Sequence, residues 1–187
     1  MKKINLLLAG LAFLTLSAAL AFAEEPMETL AEPAPPPEAK TFVTEHEVEA
    51  GGERIRYTAT AGTLLLRDGE GEVVAEYGYT SYVKKGGNPA VRPIMFAWNG
   101  GPGSASMWLH MGVLGPQRTK VEDIEVNGKG PFIRVDNAYS IIDMVDLVMV
   151  DPVGTGYSRA VGEAKGEDFW GVDNDIKSVS NFIVQYT

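Results

Sequence analysis

The sequence predicts an α/β protein in which antiparallel strands lead into a mixed, partly parallel sheet flanked by helices. Residues 41 to about 83 alternate apolar and polar side chains between glycine-rich breaks, which is typical of antiparallel strands. Two short apolar runs follow at 93–98 and 144–150, each leading to a segment with helical features, and this order indicates β-α-β alternation. With 187 residues, 45% of them hydrophobic, the chain can hold one domain with a sizeable core.

The first residues have the order of a secretory signal peptide. Two lysines precede an almost unbroken apolar run at 4–22, which closes with the small-residue pattern Ala21-Phe22-Ala23. We therefore expect residues 1–23 to be removed after Ala23, leaving a secreted or periplasmic protein without stable membrane association. An uncleaved membrane anchor is the alternative, and the polar residues inside the run disfavour it.

Residues 24–40 are predicted to form a linker. The segment is acidic and contains Pro33, Pro35, Pro36 and Pro37, a composition that favours extended, solvated chain over packing. The folded domain is therefore expected to span 41–187.

Composition excludes several classes of function. The net charge of −9 disfavours nucleic acid as a partner. The chain has no cysteine, which excludes disulfides and thiolate metal sites, and its two histidines exclude a histidine-rich metal site. We predict no cofactor.

The elements are predicted in order along the chain. Strands are expected at 54–59, 63–66 and 73–79, then at 93–98, where the strand should be buried on both faces, and at 144–150. A helix is expected to run from Ser104, as N-cap, to Met111. A second helix is expected near 175–186, with Ile176, Val179, Ile183 and Val184 at helical spacing.

The turn after the strand at 93–98 has the composition of an anion-binding loop. It reads Asn99-Gly100-Gly101-Pro102-Gly103 and leads directly into the predicted helix. Glycine lets backbone amides approach a ligand atom, and proline stiffens the turn while offering no N–H of its own. Amides in such a place can stabilise an oxyanion that appears only in a transition state. The alternative is that the glycines serve chain reversal alone.

Three ordered blocks give the chain a resemblance to the serine carboxypeptidases of the α/β-hydrolase superfamily. Residues 96–106 with Leu114-Gly115-Pro116 resemble that family's Trp-Leu-Asn-Gly-Gly-Pro-Gly-Cys-Ser-Ser and its downstream Leu-Gly-Pro. Residues 137–140 resemble its Asn-x-Tyr-Ser, and residues 150–158 resemble its Asp-Gln-Pro-x-x-x-Gly-Phe-Ser. The resemblance implies that 41–187 is the N-terminal portion of an α/β-hydrolase domain that acts on peptide substrates.

The resemblance also implies roles for three residues of the turn. The backbone N–H of Gly101 corresponds to the oxyanion-hole donor, while Asn99 and Gly100 correspond to residues that hold the substrate's C-terminal carboxylate. Two positions depart from the family pattern. Ser104 replaces a half-cystine, and Val113 replaces a glutamate that helps to bind the carboxylate, which leaves strict carboxypeptidase specificity open.

No catalytic triad is recognised in the sequence. The elbow Gly-x-Ser-x-Gly does not occur, and in the resembling family the serine, acid and histidine follow the region matched here. Ser158 is interpreted as part of a structural loop, because it lies too far beyond its strand for an elbow, and Asp151 is expected to orient that loop. His46 and His110 are both interpreted as structural. Trp98 is expected in the core.

Three functions remain open. The first is a serine carboxypeptidase whose oxyanion turn is supplied by this chain. The second is a proline-iminopeptidase-like or esterase-like hydrolase, since such enzymes also use a Gly-Gly-Pro-Gly turn. The third is a secreted module without catalysis that binds peptides, or an inactive fragment.

Overall fold

The structure, a computed structural model, describes residues 37–100, 103–121 and 132–187. The predicted signal peptide at 1–23 and most of the predicted linker at 24–40 lie outside the described residues, and both stay predictions. Within the described residues, no helix is long and apolar enough to cross a membrane.

The described residues form eight strands and a few helical segments. The strands are β1 (Thr41–Ala50), β2 (Glu53–Arg67), β3 (Val73–Lys84), β4 (Ile94–Ala97), β5 (Gln117–Thr119), β6 (Arg134–Asp136), β7 (Asp146–Val150) and β8 (Arg159–Ala160). The helical segments are α1 (Met107–Leu109), a π-helical turn (His110–Leu114), two 3-10 turns (Ile141–Asp143 and Gly166–Phe169) and α2 (Val172–Tyr186).

Six of the described strands form one mixed sheet in the order β1-β2-β3-β7-β4, with β8 also paired to β3. The strands β1, β2 and β3 are antiparallel, and β7 is antiparallel to β3 but parallel to β4. β5 and β6 make a separate antiparallel pair. The predicted architecture, antiparallel strands leading into a mixed sheet, is confirmed at this level. The helical part is smaller than expected.

One face of the sheet is covered by α2. Phe182 is fully buried there, with its ring 5.3 Å from that of Tyr77 and 6.3 Å from that of Phe96. This aromatic cluster ties α2 to three strands of the sheet, because Val148 of β7 lies in the same core. The opposite face packs against the segment 107–114 through Leu109 and Leu114.

The apolar stripe of α2 differs from the predicted one. Val179 is buried and Ile183 packs against the core of the sheet as expected, but Ile176 and Val184 are exposed. Phe182 takes the central position on the buried face instead, since its larger ring fills the space beneath β3 and β4.

The two predicted inner strands behave differently. All of β7, Asp146–Val150, is buried as predicted, but the predicted run began at Met144, which is exposed and lies before the strand. The prediction for 93–98 is wrong: β4 is an edge strand of the described sheet, and Ile94 and Met95 are exposed. Trp98 is likewise 38% exposed and not a core residue. No described strand pairs with the outer edge of β4.

The predicted helix at Ser104–Met111 begins later than expected. Its N-cap is Ser106, and regular α-helical geometry lasts only through Leu109 before the π-helical turn. The delay has a physical cause in two hydrogen bonds of Ser106. Its N–H donates to Asp151 Oδ1 (2.8 Å) and its hydroxyl donates to the carbonyl of Val150, so the chain is held against β7 before it can coil.

Candidate functional site

The candidate site lies where β4 and β7 end. Because these strands are parallel, their carboxyl ends meet at one edge of the sheet, and the loops that follow them lie side by side. Ligands of open α/β sheets bind outside the carboxyl ends of parallel strands. The loop after β4 begins with Trp98 and continues through Asn99 and Gly100, and the loop after β7 begins with Asp151.

Asn99 is half-buried and already takes part in two hydrogen bonds. Its backbone N–H donates to Ser106 Oγ (3.3 Å), and its side-chain oxygen accepts the N–H of Leu109 (3.1 Å). The oxygen thereby satisfies one amide of the first helical turn, in the manner of a capping residue. The amide nitrogen Nδ2 is the part of this side chain left to donate to a ligand carboxylate.

Gly100 lies in open space, while Gly101 and Pro102 lie outside the described residues. A Cβ added to Gly100 would have no neighbour within 4 Å, and its backbone is exposed. The positive φ in the described part of the turn falls on Gly103 (94°). The role of Gly101 as an oxyanion donor stays a prediction.

Asp151 joins the two loops. One carboxylate oxygen accepts the N–H of Ser106 at 2.8 Å, and the other accepts the N–H of Tyr157 at 3.3 Å. A carboxylate that accepts backbone N–H groups forms charge-assisted hydrogen bonds, about twice as strong as neutral ones. The predicted orienting role of Asp151 in its own loop is confirmed. Its second contact, to the loop after β4, was not predicted.

The loop 151–158 is packed too tightly for a side chain at Gly156. A Cβ there would lie 2.0 Å from Asp151 Oδ2, and the backbone has φ of +49°. Glycine is the residue that accepts both conditions without strain. The chain then returns to the sheet, because β8 pairs with β3 on the same side as β7 does.

Ser158 is buried at the base of this loop. Its hydroxyl donates to the carbonyl of Asp151 (2.6 Å) and accepts the N–H of Gly78 (2.7 Å). Both functions of the hydroxyl are thus used in fastening the loop to β3. This geometry agrees with the structural interpretation of Ser158 and gives it none of the features of an exposed elbow nucleophile.

A second pair of motif blocks is also in direct contact. The side chain of Asn137 is buried and its Nδ2 donates to the carbonyls of Val113 and Gly115, both at 2.8 Å. The Ser140 hydroxyl donates to the carbonyl of Leu114 (2.8 Å). These bonds hold the end of the π-helical turn in place. The sequence identified both blocks by resemblance but gave no sign that they touch.

The two histidines have structural surroundings. His46 is exposed on β1, where its ring stacks on Tyr57 at 5.6 Å. His110 is half-buried, and its Nε2 is joined to the hydroxyl of Tyr82 by a hydrogen bond. Burial lowers the pKa of His110 because the imidazolium loses its hydration, while the nearby Asp151 carboxylate acts in the opposite direction. Burial also raises the pKa of Tyr82.

A cavity of about 670 Å³ adjoins the candidate site. It is bounded by the sheet face opposite α2, by residues 105–110 and by residues 156–159. Ser106 and Asp151 line it, so the network that joins the two loops is also part of the cavity wall. Sequence reasoning missed this cavity. Across the described ranges, no cluster of three or more histidine, cysteine, aspartate and glutamate residues is placed to hold a metal ion.

Comparison with known proteins does not assign the chain to a family. No protein-family model matches the sequence, and no curated protein matches it. The resemblance to serine carboxypeptidases therefore depends on the three motif blocks, and the contacts among those blocks are what the structure adds.

Proposed function

We propose that this chain is the N-terminal portion of a serine-carboxypeptidase-like α/β-hydrolase, exported from the cell. In the full-length protein, a serine cleaves the peptide bond nearest a C-terminus through an acyl-enzyme. The chain contributes the oxyanion turn at 99–103, and the serine, acid and histidine of the triad belong to sequence beyond Thr187.

One observation carries this proposal: the two loops singled out by the resemblance meet at the carboxyl ends of parallel strands. Ser106 links them, since its N–H donates to Asp151 and its hydroxyl accepts from the N–H of Asn99. Motif blocks that occurred by chance in unrelated places would have no reason to bond to each other. The contacts of Asn137 with the Leu-Gly-Pro block add a second link of the same kind.

The proposed chemistry assigns a distinct task to each part of the turn. A serine hydroxyl attacks the scissile carbonyl while histidine takes its proton, and the carbonyl oxygen becomes an oxyanion. The N–H of Gly101 donates to that oxyanion, a type of contact worth about 10²- to 10³-fold in kcat. Asn99 and Gly100 donate to the substrate carboxylate. The fixed side-chain oxygen of Asn99 orients its Nδ2 for this purpose.

One observation favours a second candidate, a proline-iminopeptidase-like or esterase-like hydrolase. Val113 stands where carboxypeptidases have a carboxylate-binding glutamate, and its side chain is exposed and apolar. Valine cannot hydrogen-bond a carboxylic acid. Recognition of a free C-terminus would then depend on Asn99, Gly100 and other residues of the complete protein.

Three matched substrates separate the candidates in the full-length protein. We expect an N-acetylated peptide with a free C-terminus to lose residues from that end. The same peptide with a C-terminal amide should be cleaved at least about tenfold more slowly, because it lacks the carboxylate whose contacts contribute about that factor to the rate. Cleavage only of a free N-terminal proline, or only of an ester, would contradict carboxypeptidase activity and support the second candidate. Product masses identify which bond was cut.

A further inference from the structure

The wall of the cavity beside the candidate site contains a buried carboxylate, Glu76, with an exposed arginine partner, and the proposed catalysis uses neither. Glu76 of β3 and Arg159 of β8 are direct partners across the two strands. The Glu76 side chain is 4% exposed and forms an ion pair with Arg159, whose side chain is 64% exposed. A buried carboxylate is costly unless it is paired, so Glu76 holds the guanidinium at this position.

Arg159 keeps donors available for a ligand. A guanidinium has five N–H donors in a planar fork, and its partner Glu76 occupies only one side of it. Both residues line the cavity. Arg159 is thus a cation fixed at a cavity wall with donors still exposed, which is an arrangement suited to a carboxylate.

Lys40 provides a second positive charge at the cavity. Its backbone is fixed on β2 by two hydrogen bonds with Thr63, one from Lys40 N to Thr63 Oγ1 (3.0 Å) and one from Thr63 N to the Lys40 carbonyl (2.8 Å). Among the described residues, its ammonium group has no ion-pair partner.

The negative groups of the cavity are already engaged. Glu76 is paired with Arg159, and both oxygens of Asp151 accept backbone N–H groups. Among the described lining residues, the charged groups left to meet a ligand are therefore the cations Arg159 and Lys40. An anion fits this arrangement better than an amine does.

The remaining wall is largely apolar. Phe42, Met107 and Tyr157 are strongly exposed large side chains that line the same cavity, and Met149 lies at its floor. Apolar surface of this kind, next to a few convergent polar groups, is the usual composition of a small-molecule pocket, and 670 Å³ lies within the usual range of volumes.

We propose that this cavity binds a small amphipathic acid, with its carboxylate on Arg159 and Lys40 and its apolar body against Phe42, Met107 and Tyr157. Glu76 is a positioning residue, because it acts on the ligand only through Arg159. Binding here does not depend on the hydrolase proposal and requires no catalytic step.

Two probes of nearly equal shape test the role of the carboxylate. N-acetyl-L-phenylalanine and N-acetyl-L-phenylalaninamide are titrated separately into the full chain, and binding is followed by calorimetry and by amide NMR shifts. We expect the acid to bind at least about tenfold more tightly than the amide. The carboxylate can accept charge-assisted hydrogen bonds that the neutral amide cannot, and such bonds change the affinity by about this factor.

Two variants locate the contact, and one serves as a control. Lys40→Gln should weaken binding of the acid severalfold. The double variant Glu76→Gln, Arg159→Gln removes both charges together, so it leaves no unpaired buried carboxylate, and it should remove most of the preference for acid over amide. Arg54→Gln is the matched control, since Arg54 is also an exposed, ion-paired arginine but does not line the cavity.

The outcomes are distinct. Preference for the acid that is largely lost in the double variant and kept in Arg54→Gln supports the proposal. It is overturned if acid and amide bind equally, if the folded double variant binds the acid as tightly as the unmodified chain, or if the acid does not bind at about 10 mM, a concentration that detects even weak sites. Far-UV circular dichroism verifies that each variant is folded.

Discussion

Replacing Phe182 with alanine is expected to lower the free energy of unfolding by about 3–5 kcal/mol, the range for deleting a buried aromatic ring. Phe182 is fully buried where α2 meets the sheet. Its ring contacts Tyr77, Tyr79, Phe96 and Tyr186 at centroid distances of 5.3 to 6.3 Å. The substitution leaves a cavity between the helix and the sheet. The strands cannot move to fill it, because the β3 and β7 backbones are held by the hydrogen bonds between them.

Urea denaturation followed by circular dichroism measures this effect. Val184→Ala is the control, since Val184 lies on the same helix but is exposed, and its replacement should change stability by no more than about 0.5 kcal/mol. Equal losses in the two variants would mean that α2 is not packed on the sheet through Phe182.

Replacing Asp151 with alanine is expected to lower the free energy of unfolding by about 2–3 kcal/mol and to loosen both loops of the candidate site. The N–H groups of Ser106 and Tyr157 would lose the carboxylate that accepts them, at 2.8 and 3.3 Å. Hydrogen bonds to a charged acceptor are worth about 1.5–3 kcal/mol each when one partner is removed, and the longer of the two contributes less. Asp151→Asn keeps one acceptor oxygen, so its free energy of unfolding should lie between those of the unmodified chain and Asp151→Ala.

The readout specific to this contact is amide hydrogen exchange. In Asp151→Ala the N–H of Ser106 should exchange much faster, while amides in the centre of β7 stay protected. Asp136→Ala is the matched control, because Asp136 is exposed and, among the described residues, its side chain accepts a hydrogen bond only from the Gln117 side chain (3.2 Å). Unchanged protection at Ser106 would show that Asp151 does not join the loops in solution.

The sheet was largely predictable because its strands have clear local patterns. The buried run at 144–150 yielded β7, and the alternating segments yielded β2 and β3. The predicted glycine-rich breaks at 51–52 and 68–71 separate β1 from β2 and β2 from β3, and the segments 54–59 and 63–66 lie in one continuous strand, β2, from Glu53 to Arg67. Gly62 permits this continuity: a Cβ there would lie 2.7 Å from the carbonyl of Lys40, a contact made by chain 22 residues away that no local pattern signals.

The candidate site was predictable in its location and not in its contacts. The segments at 99–103 and 150–158, singled out by composition and motif, follow two parallel strands and lie at one edge of the sheet. The bond between Ser106 and Asp151 joins residues 45 apart in sequence, so it depends on the parallel pairing of β4 with β7. The pair of Glu76 and Arg159 was also missed. The two residues are far apart in the sequence, and each by itself resembles an ordinary solvated charged position.

The exposure of β4 was also beyond local pattern. An apolar run of this length is typical of an inner strand, and whether it is covered depends on which other strands are present. Ile94, Met95 and Trp98 form an apolar edge that no described strand pairs with. In the proposed hydrolase, the strand that carries the nucleophile is a natural partner for this edge.

Labelling with a fluorophosphonate probe tests the central claim most directly. The product of the complete gene and residues 1–187 alone are treated in parallel, and labelled peptides are identified by mass spectrometry. We predict one labelled serine in a Gly-x-Ser-x-Gly sequence beyond Thr187, and no labelling of residues 1–187. Labelling of Ser158, or no labelled serine in the complete product, would contradict the assignment of this chain to a serine hydrolase that draws its oxyanion turn from residues 99–103.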